Sequence, residues 1–207
     1  QFYEKLNNSW EELINTYDNL ISDILLPYLG LTEALVQKTP TFRIQLPNNV
    51  AVVKKHYDSD LDHRHPKGEI NFVYALTDMY DSNSIFVEKM PMLDEYDAIN
   101  LKKGECICFN GNNCHHYNKI NKTGKTRVSF DFRILPLNYY NNIKIEEQSV
   151  TRNTKFCENG YYKRVFASKP KLYKAVDIWD KEKEKFNSTM VKYNVKEAWG
   201  VVDLFEK

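Results

Sequence analysis

ECICFNGNNCHHYNKINKTGKTRVSFDFRIL, residues 105 to 135, is the stretch whose reading decides the fold. Glu105 to Phe109 is a short apolar run and reads as a strand. Asn110 to Asn113 is a polar loop, and His115 to Ile120 reads as a second short strand. Asn121-Lys122-Thr123-Gly124 is a hairpin turn, because glycine takes the positive φ that such a turn requires. Thr126 to Leu135 then alternates polar and apolar residues, the two-residue period of a half-buried strand. No helix separates these strands.

The same pattern continues upstream. Phe42, Ile44 and Leu46 alternate before a turn at Pro47-Asn48-Asn49. Val50 to Tyr57, Ile70 to Leu76, Ser84 to Met90 and Ala98 to Leu101 read as further strands. Short strands joined by turns predict an antiparallel sandwich or barrel, and a double-sheet jelly roll suits their number. The fold class is therefore mainly β: a double-stranded β-helix (jelly roll, cupin-like) with its core over about residues 40–136. An N-terminal packing helix is expected over about residues 9–26. Ser9-Trp10-Glu11-Glu12 opens it as a capping box, and Trp10, Leu13, Ile14, Tyr17, Leu20, Ile21 and Leu25 recur at helical spacing. Residues 137–207 form a C-terminal extension. Within it Trp179 to Tyr193 reads as a charged helix with Trp179, Phe186, Met190 and Tyr193 on its apolar side.

The 207 residues suffice for one core, and one domain over 1–207 is the expectation. The 29 basic residues nearly balance the 28 acidic ones, which argues against a dedicated nucleic-acid binder. No apolar run is long enough to span a membrane. No basic-then-apolar leader opens the sequence, so a cytoplasmic location is expected. Cys106, Cys108, Cys114 and Cys157 lack the usual spacing of a zinc site and read as buried free thiols.

All five histidines, His56, His63, His65, His115 and His116, fall in the strand region. His56-Tyr57-Asp58 ends an apolar run, and on a strand residues two apart project to one face. An imidazole and a carboxylate there can share one metal, with a third ligand from His115 or His116. Two histidines and one carboxylate leave open positions, as in non-haem Fe(II) oxygenases. About ten residues beyond lies Arg127-Val128-Ser129, again on one strand face. A guanidinium fork with a hydroxyl suits a carboxylate such as the distal one of 2-oxoglutarate.

Several stretches together resemble the phytanoyl-CoA-hydroxylase-like superfamily of 2-oxoglutarate oxygenases. They are His56-Tyr57-Asp58, Gly68-Glu69-Ile70-Asn71-Phe72, Leu76-Thr77, Asn83, Glu88, Gly111-Asn112-Asn113-Cys114-His115-His116 and Thr126 to Arg133. More narrowly, they resemble its streptomycin-biosynthesis-type branch. The resemblance implies iron at His56, Asp58 and His116, with 2-oxoglutarate at Arg127 and Ser129 and a further contact from Asn71. It also implies hydroxylation of a small polar substrate with O2, releasing succinate and CO2. A second resemblance, Ala198 to Lys207 to the opening of PLP-dependent sugar aminotransferases, implies a fused downstream domain and a sugar or nucleotide-sugar substrate.

Other readings compete. His63, His65 and Glu69, with His115 or His116, fit a cupin metal pattern and its isomerase or epimerase chemistry. Pro66 and the surrounding charges favour a polar loop there instead. Arg133 shares the strand face of Arg127 and is an alternative oxo-acid anchor; Asp131 or Glu105 could pair Arg127 in an ordinary salt bridge. A jelly-roll binding module without catalysis is the third reading.

Overall fold

A computed structural model describes residue 4, residues 11–49, 53–140 and 154–168, and short strands between residues 179 and 203. Helix α1 (Glu11–Asn19) runs into a π-helical turn at Leu20–Leu25 and a last turn at Leu26–Tyr28. The wider π turn puts Leu20 and Ile21 in line with Leu25 and Leu26, all buried. The chain leaves the helix at Gly30, whose φ of 68° a side chain would oppose. The Ser9 cap lies outside the described residues.

Nine strands follow before the tail: β1 (Glu33–Gln37), β2 (Thr41–Gln45), β3 (Ile70–Ala75), β4 (Ile85–Glu88), β5 (Tyr96–Ala98), β6 (Glu105–Phe109), β7 (His116–Asn118), β8 (Arg127–Pro136) and β9 (Tyr162–Phe166). The larger sheet runs β6-β3-β8-β1-β9, with β2 also paired to β8, and the smaller runs β5-β4-β7. All these pairings are antiparallel. Between the sheets lies an apolar layer that includes Val73, Ala75, Val87, Ile99, Ile107 and Phe109. The outer face of the larger sheet is covered by the helix: Tyr17, Ile21 and Leu25 pack with Phe72, Phe130, Phe132 and Ile134. These are the two sheets of the expected jelly roll.

The alternation in β8 matters most for the site. Phe130, Phe132 and Ile134 belong to the helix-side core, so Arg127, Ser129, Asp131 and Arg133 face inward. Cys106 and Cys108 face the helix while Cys114 lies between the sheets, so these thiols do not converge on a zinc ion. All four cysteines are free.

Three expectations need correction. The run ending at Tyr57 is not a strand in its described part: His56 makes an isolated bridge to His116, and Asp58 lies in a turn. The backbone N–H of His116 donates to the His56 carbonyl at 2.8 Å and that of His56 to the His116 carbonyl at 3.3 Å. The bridge replaces a ladder because the chain turns away at once, as the Asp58 N–H donates to the Gly111 carbonyl at 2.8 Å. Next, strands β1 and β9 were not read from the sequence. β1 is buried almost throughout and does not alternate, and β9 is ordered by pairing with it. Finally, the helix expected over Trp179 to Tyr193 is absent at the described positions. These are short strands, with Trp179 paired to Phe186 and Met190 to Phe109. The spacing that suits a helix face also suits residues placed across antiparallel ladders.

Candidate metal and oxo-acid site

His56, Asp58 and His116 offer ligand atoms that all lie within 4.8 Å of one another. His56 Nε2 and His116 Nε2 stand 3.5 and 3.6 Å from the same oxygen, Asp58 Oδ1. Each ring is turned by its other nitrogen: His56 Nδ1 donates to the Lys54 carbonyl at 2.8 Å and His116 Nδ1 to the Cys114 carbonyl at 3.1 Å. A proton held on Nδ1 leaves the Nε2 lone pair aimed at the common centre.

The opposite oxygen of Asp58 is occupied. Oδ2 accepts from Asn71 Nδ2 at 2.7 Å and from Arg133 Nη2 and Nε at 3.0 and 3.2 Å. Asp58 is only 1% exposed, so these partners are what make its charge tolerable. Burial works against its ionisation, but Arg133 and the surrounding imidazoles hold its carboxyl well below the usual range. Burial pushes His116 down to about 4 against the pull of Asp58. Burial also opposes protonation of His56, yet Asp58 and the Lys54 carbonyl raise its pKa above the ordinary value. An ionised carboxylate beside a neutral imidazole is the state a divalent metal needs. The donor set thus fits one metal ion, which Oδ1 and the two Nε2 atoms would hold.

These groups line a cavity of ≈ 480 Å³, which Arg127 also lines. Arg127 is 0% exposed, and among the described residues its Nε, Nη1 and Nη2 find no hydrogen-bond partner. The buried Ser129 hydroxyl is likewise unpartnered. Burial first, and neighbouring Arg43 second, push Arg127 down to about 10 against the pull of Asp131. A buried guanidinium and hydroxyl with nothing to bind are strongly unfavourable alone, and an incoming carboxylate would satisfy them.

The other candidates have different partners. Arg133 is engaged by Asp58 and, through Nη1, by Asp131 Oδ2 at 2.8 Å, so it is not an open oxo-acid anchor. Asp131 is further bound by Arg43 at 2.8 Å, and Glu105 Oε2 accepts from the Lys102 N–H, so neither expected partner pairs with Arg127. Asn71, expected as a further oxo-acid contact, donates through Nδ2 to Asp58 Oδ2. His115 turns to Glu88, whose Oε2 accepts from its backbone N–H at 2.9 Å and its Nδ1 at 3.1 Å. The structure therefore brings His116, not His115, to Asp58.

The cupin quartet is not assembled. His63 Nδ1 binds Asp60 at 2.7 Å, and His65 Nδ1 binds Glu69 Oε2 at 2.7 Å. Asp58, His65 and Glu69 do lie together, but Tyr162 donates to the second Glu69 oxygen and Arg133 holds Asp58 Oδ2. The resemblance includes Gly111 in its motif but gives it no role. A Cβ there would meet the Asn71 side chain at 2.7 Å, so the glycine makes room for the residue that steadies Asp58.

Fold and site together define a mainly β, double-stranded β-helix protein whose two-histidine, one-carboxylate cluster opens on a polar cavity. Over 134 residues, 60% of this chain, it is 37% identical to the streptomycin biosynthesis protein StrG of Streptomyces griseus. The match covers 62% of that relative, so the chain spans about three fifths of its length. No protein-family profile matches. Among solved structures, a non-heme monooxygenase, the ThoJ–nickel complex, is 17% identical with a TM-score of 0.45, over 57% of this chain and 53% of that one. The non-heme alpha ketoglutarate dependent epimerase SnoN from nogalamycin biosynthesis is 17% identical with a TM-score of 0.44, over 64% and 58%. Likenesses this distant carry no functional argument.

Proposed function

We propose that this protein is an Fe(II)- and 2-oxoglutarate-dependent oxygenase that hydroxylates a small polar metabolite. His56, Asp58 and His116 would hold the iron, and Arg127 with Ser129 the distal carboxylate of 2-oxoglutarate. The observation that carries the reading is the bare, fully buried guanidinium of Arg127 sharing one cavity with the converged triad. A structural arginine at 0% exposure would have partners; a carboxylate-binding one is left open for its ligand. The similarity to a streptomycin biosynthesis protein supports a sugar, sugar nucleotide, aminocyclitol or amino acid as the substrate class.

Bound iron would supply oxidation of a substrate C–H bond by O2, coupled to conversion of 2-oxoglutarate to succinate and CO2. The protein's own part is positional. Asn71 and Arg133 fix Asp58 through Oδ2, so Oδ1 alone faces the metal position. The two-way backbone bridge between His56 and His116 sets the spacing of their rings. The cavity wall excludes bulk water from Arg127, which strengthens its hold on a carboxylate.

The test is succinate formation with Fe(II) and 2-oxoglutarate across a panel of nucleotide sugars, aminocyclitols and amino acids. Wild type should turn over, while Asp58→Ala and Arg127→Ala should not. Intact turnover in both variants would sink the assignment. Loss tracking His63, His65 and Glu69 instead would favour a cupin-type metal enzyme, and no turnover by wild type would favour a binding module.

A further inference from the structure

Two carboxylate–imidazole pairs flank the metal cluster, and the chemistry above uses neither. His63 Nδ1 is held by Asp60 Oδ1 at 2.7 Å, and His65 Nδ1 by Glu69 Oε2 at 2.7 Å. Both rings line the same cavity as His56, Asp58 and His116. Among the described residues, no hydrogen bond reaches Nε2 of either ring.

The arrangement is built. Asp60 Oδ1 also accepts from the backbone N–H groups of His63 at 2.8 Å and Asp62 at 2.9 Å, so the carboxylate cannot swing away. Glu69 is fully buried, and its other oxygen is taken by Tyr162 from strand β9. Between the two histidines Arg64 has φ = 50°, a left-handed conformation that a non-glycine residue adopts at some cost in free energy. The His63 ring lies over that of His56 with centroids 4.4 Å apart. The loop thus holds both imidazoles beside the metal position, with the far nitrogen of each left for something else.

We infer that His63 and His65 form a paired hydroxyl-binding site on the cavity wall, and that the substrate is a polyhydroxylated small molecule such as a cyclic polyol or a sugar. This rests on the oxygenase reading for the identity of the cavity. A carboxylate on Nδ1 leaves Nε2 as a single polar atom at the end of a rigid lever. A hydroxyl is the ligand that suits it, since it can donate to a bare Nε2 and accept from a protonated one. Two such levers from residues two apart in one loop suit a ligand with two hydroxyls. An amino acid or other zwitterion would place a fixed charge beside carboxylates that are already engaged: Asp60 Oδ1 accepts from His63 and two backbone N–H groups, and both Glu69 oxygens are taken. Burying it there is unfavourable.

The experiment uses the whole protein with Zn(II) in place of iron, 2-oxoglutarate present and histidine labelled with ¹⁵N. The probes are myo-inositol, UDP-glucose, L-arginine and L-proline. Addition of myo-inositol or UDP-glucose should shift the Nε2 resonances of both His63 and His65, and the amino acids should not. His63→Phe keeps a ring over His56, and His65→Gln keeps a donor for Glu69. Each should weaken binding of the responding probe by about tenfold, the loss of one hydrogen bond. Zn(II) and 2-oxoglutarate should bind both variants as they bind wild type. Shifts caused by an amino acid but by neither hydroxylated probe overturn the inference, as does no response to any probe. So does a hydroxylated probe that binds both variants as tightly as wild type. Failure of wild type to bind Zn(II) and 2-oxoglutarate at all is a different result, which removes the oxygenase reading itself.

Discussion

Strand β8 carries two arginines on one face, and their surroundings are opposite. Arg133 is held on all sides: Nε and Nη2 reach Asp58, and Nη1 reaches Asp131 at 2.8 Å and Gln37 at 3.4 Å. Arg127 has no hydrogen-bond partner among the described residues, although it is the more deeply buried. Burial opposes the charge of both. At Arg133 the two aspartates more than offset it, and its pKa rises. At Arg127 nothing does, and its pKa falls to about 10. One arginine completes the folded protein, while the donors of the other are unmatched among the described residues. The same residue type thus has two surroundings, set by whether a neighbouring strand or turn provides a carboxylate.

This contrast can be broken from either side. Arg133→Met should destabilise the ligand-free protein by about 3–5 kcal/mol, because it leaves Asp58 and Asp131 buried without their shared cation. Chemical denaturation measures it; a loss under 1 kcal/mol would deny Arg133 its structural role. Arg127→Met should have the opposite sign on stability, leaving the ligand-free protein as stable as wild type or more so. It should weaken 2-oxoglutarate binding by about 100-fold, the value of a charge-assisted carboxylate contact. Calorimetric titration of the metal-loaded protein reads this, and unchanged affinity would move the anchor elsewhere.

A smaller effect sharpens the Arg133 end. Gly111→Ala pushes a methyl group into the Asn71 side chain and should loosen Asp58. Metal affinity should fall about tenfold, as for other groups that steady a ligand, with the 2-oxoglutarate affinity of the metal-loaded variant unchanged. Equal losses in both would place the damage outside Asp58.

The smallest effect is on acid stability. Asp58 and Asp131 are both held below their ordinary pKa in the folded chain. Folded pKa values below the unfolded ones mean stability that is full above about pH 4 and is lost as pH falls through the folded values. Melting curves of the metal-free protein between about pH 5 and pH 3 should show this decline. In Arg133→Met it should flatten, because Asp58 then loses its main partner and Asp131 keeps only Arg43; an unchanged slope would assign the acid sensitivity to other groups.

Much of this was legible along the chain. The alternation of Thr126 to Leu135 put Arg127, Ser129, Asp131 and Arg133 on one face because a strand's side chains alternate by geometry alone. The order of His56, Asp58, His116 and Arg127 carried the chemistry, since those residue types suit a metal and a carboxylate wherever they converge. Residues without local periodicity were harder. β1 is buried along nearly all its length, and β9 takes its form from β1, so neither shows an alternating pattern. His56 and Asp58 were read as one strand face, but they meet through a bridge and a turn.

The sequence by itself determined the jelly-roll strand pattern, the residue types able to bind metal and oxo acid, and the shared face of the two arginines. Only the tertiary structure decided which arginine is satisfied, that His115 turns to Glu88, and that His63 and His65 are each locked to a carboxylate. The reason is physical. Alternation is local and follows from backbone geometry, whereas the pairing of a buried charge depends on which distant segment the fold brings within hydrogen-bond reach.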